Sequence, residues 1–197
     1  YGGRISSVMD ITTRDGKSNR FAGKVYASPF TTKLVLEGPL KKPKKPGDGS
    51  ITYVLTGKRS YLAESSKLFY SYIDTAGLPF NYTDLYGKIS FNGKNGSKFN
   101  LFGFNFTDQV NYQAVSDLKW NSYGVGSNFI LVPGSSPVLI EGKFSFSDYK
   151  ISLLEENLQE RTSSVGGFNL GFDFKYFIKD SELKYGIEVS GFSTDYT

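Results

Sequence analysis

The chain has 197 residues, enough for one domain or for a piece of a larger one. It contains no cysteine and no histidine, which excludes disulfide bonds, thiolate zinc sites, cysteine nucleophiles and imidazole acid–base catalysis. The net charge of +4 is mild and gives weak support to a nucleic-acid partner. Abundant Gly (22), Phe (17) and Tyr (14) favour strands and turns over helices.

No apolar run approaches the ~20 residues that a transmembrane helix needs, so a helical membrane protein is excluded. A membrane β-barrel is not excluded, because its strands alternate lipid-facing and lumen-facing residues and look polar on average. The first residues are YGGR, neither a Met start nor a signal peptide. We therefore expect the sequence to be a segment of a longer chain.

The first elements in chain order are three predicted strands at residues 4–13, 20–28 and 32–40, with a turn at 14–17 between the first two. Arg4 and Asp10 are charged residues inside the first strand and need partners if that strand is packed. A basic run, KKPKKP, follows at residues 41–46. It has no aromatic stacking platform, so we predict a solvated turn beside a membrane surface and no nucleic-acid binding.

A fourth strand is predicted at residues 50–62, and a long connection follows at 64–82. That connection carries aromatic side chains that suit contacts with a ligand or a partner protein: Phe69, Tyr70, Tyr72 and Phe80. Packing of the same side chains onto the rim of the sheet remains the alternative. The sequence leaves both interpretations open.

Strict alternation of apolar and polar residues predicts half-buried strands at residues 83–91, 138–147, 166–178 and 183–191. Residues 98–115 and 123–132 are less regular strand candidates, which brings the total to about nine barrel-type strands. Residues 151–160 have mixed helical character, and we expect a short helical turn there. Glu155 and Glu156 lie in this stretch, but adjacent residues of a strand point in opposite directions, so they do not form a catalytic pair.

Several predicted strands exceed ten residues, which suits a tilted membrane-spanning strand of ~9–11 residues better than a soluble sandwich. Short and long connections also alternate, as in outer-membrane barrels. In such a barrel the apolar residues would face lipid and the polar ones would face the lumen. The predicted lumen-facing residues are Lys88, Ser90, Glu141, Lys143, Asp173, Lys175, Lys184 and Glu188.

Several stretches resemble TonB-dependent outer-membrane receptors. YGGRISSVMDITTR at residues 1–14 is similar to the last strand of their plug domain, and LVLEGPL at 34–40 to an early barrel strand that ends in Gly-Pro. TGKRSYL at 56–62 and LPFNYTDL at 78–85 resemble the next strand and the loop that re-enters the barrel. The later strands support a generic outer-membrane barrel.

The resemblance implies an all-β chain, with residues 1–17 as the end of the plug and 18–197 as the first strands of a transmembrane antiparallel barrel. It implies an outer-membrane location in a Gram-negative bacterium and import of an unknown nutrient by energy-coupled displacement of the plug. Arg4 and Asp10 would make plug–barrel contacts. The implied partners are outer-membrane lipid, the TonB energy-coupling protein through a region N-terminal to this sequence, and a surface lipoprotein.

A second hypothesis is a self-contained soluble or passive β-barrel that binds an apolar ligand or a partner protein. Its apolar faces would point inward and its polar faces outward, and alternation alone does not distinguish the two arrangements. We expect no enzymatic activity, no cofactor and no metal site, since no motif in the sequence supports them.

Overall fold

The computed structural model describes residues 11–45, 47–72, 77–112, 115–134, 136–156 and 158–197. Within these ranges nine strands form one antiparallel sheet in which each strand pairs with the next along the chain. The strands are β1 (Ala22–Ala27), β2 (Thr31–Lys41), β3 (Ser50–Ser60), β4 (Phe80–Asn92), β5 (Lys98–Tyr112), β6 (Ser116–Leu131), β7 (Val138–Glu155), β8 (Arg161–Ile178) and β9 (Ser181–Tyr196). One short helix, α1 (Leu62–Phe69), lies between β3 and β4.

The prediction of an all-β antiparallel meander is confirmed, but several local predictions are wrong. Residues 151–155 continue β7, so the helical turn expected at 151–160 is absent from the described part of that stretch. Helix α1 instead starts inside the strand predicted at 50–62 and continues into the predicted connection. Residues 11–13 of the predicted first strand have no regular structure, and the rest of that strand lies outside the described residues.

The connections separate the two ends of the sheet. The links at residues 28–30, 61–79, 113–115 and 156–160 lie at one end, which we call the helix end because it carries α1. The links at 42–49, 93–97, 132–137 and 179–180 lie at the opposite end, which we call the lysine end. The expected alternation of short and long links is only partly seen, because β6 and β8 start earlier than predicted and shorten the links before them.

Strict alternation in a regular antiparallel register gives the sheet two chemically different faces. On one face, which we call the apolar face, large side chains from successive strands stand directly opposite one another. One such row is Phe91, Phe99, Phe129, Gly142, Phe172 and Ile187. The other face, which we call the polar face, has a parallel row consisting of Thr52, Ser90, Asn100, Asn128, Lys143, Gly171 and Glu188.

The two faces exchange character toward the helix end. There the apolar face continues as a polar row made of Thr83, Thr107, Asn121, Lys150, Ser164 and Asp195. The polar face in turn becomes apolar, with a row made of Phe80, Val110, Leu118 and Leu153. The apolar face is therefore a band of limited height that reaches the lysine end and stops short of the helix end.

Pairs of Phe and Gly explain part of the unusual composition. Phe129 stands directly opposite Gly142, and Phe168 stands opposite Gly191. In both pairs a Cβ on the glycine would overlap the phenyl ring, so the ring lies across the bare backbone of the next strand. Such cross-strand packing recovers contact area that a glycine within a strand otherwise lacks.

The sheet is open in the described residues. Strand β1 forms one edge and β9 the other, so each has a neighbour on one side only. Strand β9 is exposed along nearly its whole length. Among the described residues, no helix is long and apolar enough to cross a membrane.

Candidate functional site

The most densely connected polar cluster among the described residues joins residues 11–17 to the polar face. This stretch, which we call the pre-strand segment, has no regular secondary structure. Its side chains and carbonyl groups reach residues of β2, β4 and β5, and Gly16 lies against the backbone of β3. The sequence folds this way locally because the segment supplies charges of both signs opposite complementary charges on the sheet.

Asp15 is the acidic centre of the cluster. Its carboxylate lies 2.6 Å from Lys98 Nζ and 3.0 Å from Lys88 Nζ, and it accepts a 3.0 Å hydrogen bond from the Ser90 hydroxyl. Burial raises the pKa of Asp15, but the hydrogen bonds from Lys98, Lys88 and Ser90 outweigh burial and hold the pKa below its ordinary value. The stabilising contribution of Asp15 is therefore present at neutral pH and is lost as the pH falls through this lowered pKa.

Glu37 in β2 is the matching acidic group on the sheet. It is 1% exposed, and its carboxylate lies 2.6 Å from Arg14 and 3.9 Å from Lys17. A carboxylate this buried is tolerated only with such partners, because an unpaired buried charge is costly. The pre-strand segment thus covers and neutralises Glu37.

Two further contacts complete the cluster. Lys88 donates a 2.7 Å hydrogen bond to the Thr13 carbonyl oxygen, and the Thr13 hydroxyl lies 2.7 Å from the Tyr86 hydroxyl. Lys88 is 6% exposed, and its ammonium group contacts both Thr13 and Asp15. The segment is therefore held by both ion pairs and backbone contacts.

We expect Gly16→Ala to weaken the docking of the pre-strand segment. A Cβ at Gly16 would overlap the backbone carbonyl of Tyr53, which cannot rotate away as a side chain could. The cost should be about 1–3 kcal/mol, as for overpacking elsewhere. Hydrogen exchange of residues 11–17 measures it. Gly134→Ala is the matched control, since no atom lies within 4 Å of the added Cβ, and equal exchange in both variants would contradict the close approach.

The residues predicted to face a lumen all lie on the polar face, but only Lys88 and Ser90 contact the pre-strand segment. Four of the others form two cross-strand ion pairs, with Lys175 Nζ 2.6 Å from Glu141 and Lys143 Nζ 3.2 Å from Glu188. Lys184 Nζ instead lies 3.4 Å from Glu182 of the same strand. Asp173 stands opposite Glu141 on β7. Their assignment to a barrel lumen stays a prediction.

The predicted plug–barrel residues Arg4 and Asp10 lie outside the described residues. The structure instead shows segment-to-sheet contacts at Arg14, Asp15 and Lys17, inside the turn predicted at residues 14–17. The sequence RDGK at residues 14–17 could have indicated these contacts, because it places charges of both signs next to a predicted strand. Their partners Glu37 and Lys98 were not recognisable, because strand register cannot be read from one sequence.

The four aromatic side chains predicted to contact a ligand or a partner lie in different surroundings. Phe69 and Tyr70 pack on Phe30 of the β1–β2 link, with ring centroids 6.2 and 5.7 Å apart, which agrees with the rim alternative. Tyr72 contacts Tyr70 and remains 80% exposed. Phe80 lies at the start of β4. It belongs to the part of the polar face near the helix end, where the side chains are apolar. The structure does not bring these four side chains together into one site.

The charged groups of the cluster are carboxylates, ammonium groups and the Arg14 guanidinium, which pair with one another, and its hydroxyls form hydrogen bonds. Among the described residues, no group of three or more acidic side chains is arranged to hold a metal ion. A comparison of the chain with protein-family models, with curated proteins and with solved structures finds no match.

Proposed function

We propose that this chain is a segment of a TonB-dependent transporter in the outer membrane of a Gram-negative bacterium. The observation that carries the proposal is an uncovered apolar face of limited height, backed by a polar face that holds the preceding segment through ion pairs with the buried side chains of Glu37 and Lys88. The wall of a membrane barrel around a polar plug requires this combination. Transport, and not catalysis, is the role we propose.

The height of the apolar face supports a lipid environment. Along β8 its apolar positions run from Phe168 to Ile178, which spans roughly 33 Å at about 3.3 Å per residue. Strand tilt of about 40° would reduce this to roughly 25 Å, which matches the ~25 Å lipid-facing band of outer-membrane barrels. Phe144, Phe168, Phe172 and Ile187 on this face are each more than a third exposed. Water is a poor environment for so many neighbouring apolar side chains.

The pre-strand segment and the sheet edges support a larger assembly. A chain that leaves a plug and enters the first barrel strand would run along the lumen wall, as residues 11–17 run along the polar face. The free edges at β1 and β9 need further strands, because unpaired backbone groups are not tolerated in a bilayer. About 22 strands close a barrel of the plugged type.

In the proposed mechanism a nutrient binds at the helix end and passes through the lumen when the plug is displaced. The energy-coupling protein TonB would act on a region N-terminal to this sequence. The ion pairs of Asp15 and Glu37 would then anchor the end of the plug to the wall. A surface lipoprotein is a further partner within this proposal.

The test is an antibody against this segment, used on membrane fractions of the source cells. The proposal predicts a band in the outer-membrane fraction, several-fold heavier than 21.9 kDa, that shifts on a denaturing gel when the sample is boiled. A soluble band near 21.9 kDa that does not shift would contradict it. That result would favour the self-contained β-protein instead.

A further inference from the structure

The lysine run at the lysine end is not used by the proposed transport function. Lys41, Lys42, Lys44 and Lys45 are all exposed. Among the described residues, none of them forms an ion pair with a side-chain carboxylate. They therefore present four positive charges at the end of β2 and in the link that follows it.

The link itself is ordered by its one acidic residue. Asp48 accepts a 3.0 Å hydrogen bond from the Lys45 backbone N–H, and the Asp48 backbone N–H donates to the Lys45 carbonyl oxygen at 3.0 Å. The Asp48 carboxylate also lies 2.8 Å from Lys94 Nζ of the neighbouring link. Several effects hold the pKa of Asp48 below its ordinary value, and the hydrogen bond from Lys94 is the largest of them. Asp48 is thus engaged by Lys94 and does not neutralise the four lysines.

The apolar face begins at the same place. A register shift between Pro39 and Lys41 puts Lys41 directly opposite Ile51, which belongs to the apolar face. Leu40, in the bulge, is 61% exposed. A lysine stem can lie along apolar surface while its ammonium group reaches the polar boundary. The lysine run therefore starts at the edge of the proposed lipid-facing band.

We propose that this lysine run binds the phosphate headgroups of anionic phospholipids in the membrane leaflet at the lysine end. The inference rests on the proposed membrane location and adds a lipid preference to it. Ammonium groups at a membrane boundary attract anionic headgroups, with a substantial gain for each lysine near the surface. The exposed Leu40 and the adjacent apolar band favour a membrane-held headgroup over a free phosphate ion.

The test uses the full-length protein and two triple variants. K42Q/K44Q/K45Q removes three charges from the run, and K67Q/K119Q/K150Q removes three lysines at the helix end. Each protein is inserted into bilayers of phosphatidylethanolamine mixed with phosphatidylglycerol, and the lipids retained after mild detergent extraction are quantified. We expect the first variant to lose phosphatidylglycerol enrichment by about tenfold and the second to keep it.

Four outcomes overturn the inference. Equal enrichment in the two variants would show that the run does not select anionic lipid. Saturable binding of glycerol 3-phosphate in detergent, lost in K42Q/K44Q/K45Q, would identify a soluble phosphate ligand instead. Failure of the wild type to insert would remove the membrane location and the lipid preference together. Normal insertion with a heat-dependent gel shift but no enrichment would overturn the lipid preference alone.

Discussion

Phe144→Arg is expected to block assembly of the protein into the membrane. Phe144 stands on the apolar face between Ser127 of β6 and Leu170 of β8, inside the run of apolar positions that extends from Val138 to Phe146 along β7. A guanidinium group there would have to leave water for lipid, at a cost of roughly 2–4 kcal/mol near the bilayer midplane. The measurement is the fraction of protein that becomes heat-modifiable after refolding into vesicles. Ile187→Arg should behave in the same way.

Lys143→Gln is the matched control, because Lys143 is the preceding residue and lies on the polar face. It would lose an ion pair with Glu188 in which both side chains are about half exposed. Exposed pairs of this kind contribute only about 0–1 kcal/mol. Similar, small losses from Phe144→Arg and Lys143→Gln would contradict the assignment of the two faces.

Asp15→Lys is expected to release the pre-strand segment from the sheet. The new ammonium group would replace a carboxylate that lies within about 3 Å of Lys88 and Lys98. Attraction would become repulsion, and breaking a buried charge pair costs about 3–5 kcal/mol. Water reaches this site in part, so the lower end of that range is expected. Hydrogen exchange and limited proteolysis of residues 11–17 would both report the release.

A charge-swapped variant separates electrostatics from misfolding. Asp15→Lys combined with Lys98→Glu restores one pair of opposite charges at the same two positions, so part of the protection should return. Both single variants should be less protected than the double variant. Additive losses in the double variant would show that Asp15 and Lys98 do not interact directly.

The strands were largely predictable because their alternation is local information. Phe168, Leu170 and Phe172 repeat at every second position, and the structure places them on one face of β8. The early start of β6 was missed, because Asp117, Lys119 and Asn121 look like loop residues. They lie where the apolar face becomes polar, so the strand continues without the apolar signal.

The helix and the contact cluster were harder to predict for physical reasons. Helix α1 has only eight residues, too few for a clear periodic pattern in a single sequence. Residues 151–155 contain two leucines and an isoleucine, which suit a helix as well as a strand. They form a strand because they pair with β6 and β8. The cluster around Asp15 joins residues far apart in the chain, and only the register of β2, β4 and β5 brings them together.

The central claim is that the apolar face contacts lipid, and a cysteine scan through β7 tests it most directly. The chain has no cysteine, so single cysteines at positions 143, 144, 145 and 146 can each carry a fluorophore without background labelling. In vesicles with brominated acyl chains, we predict strong quenching at 144 and 146 and weak quenching at 143 and 145. Uniform quenching, or the opposite alternation, would contradict the claim.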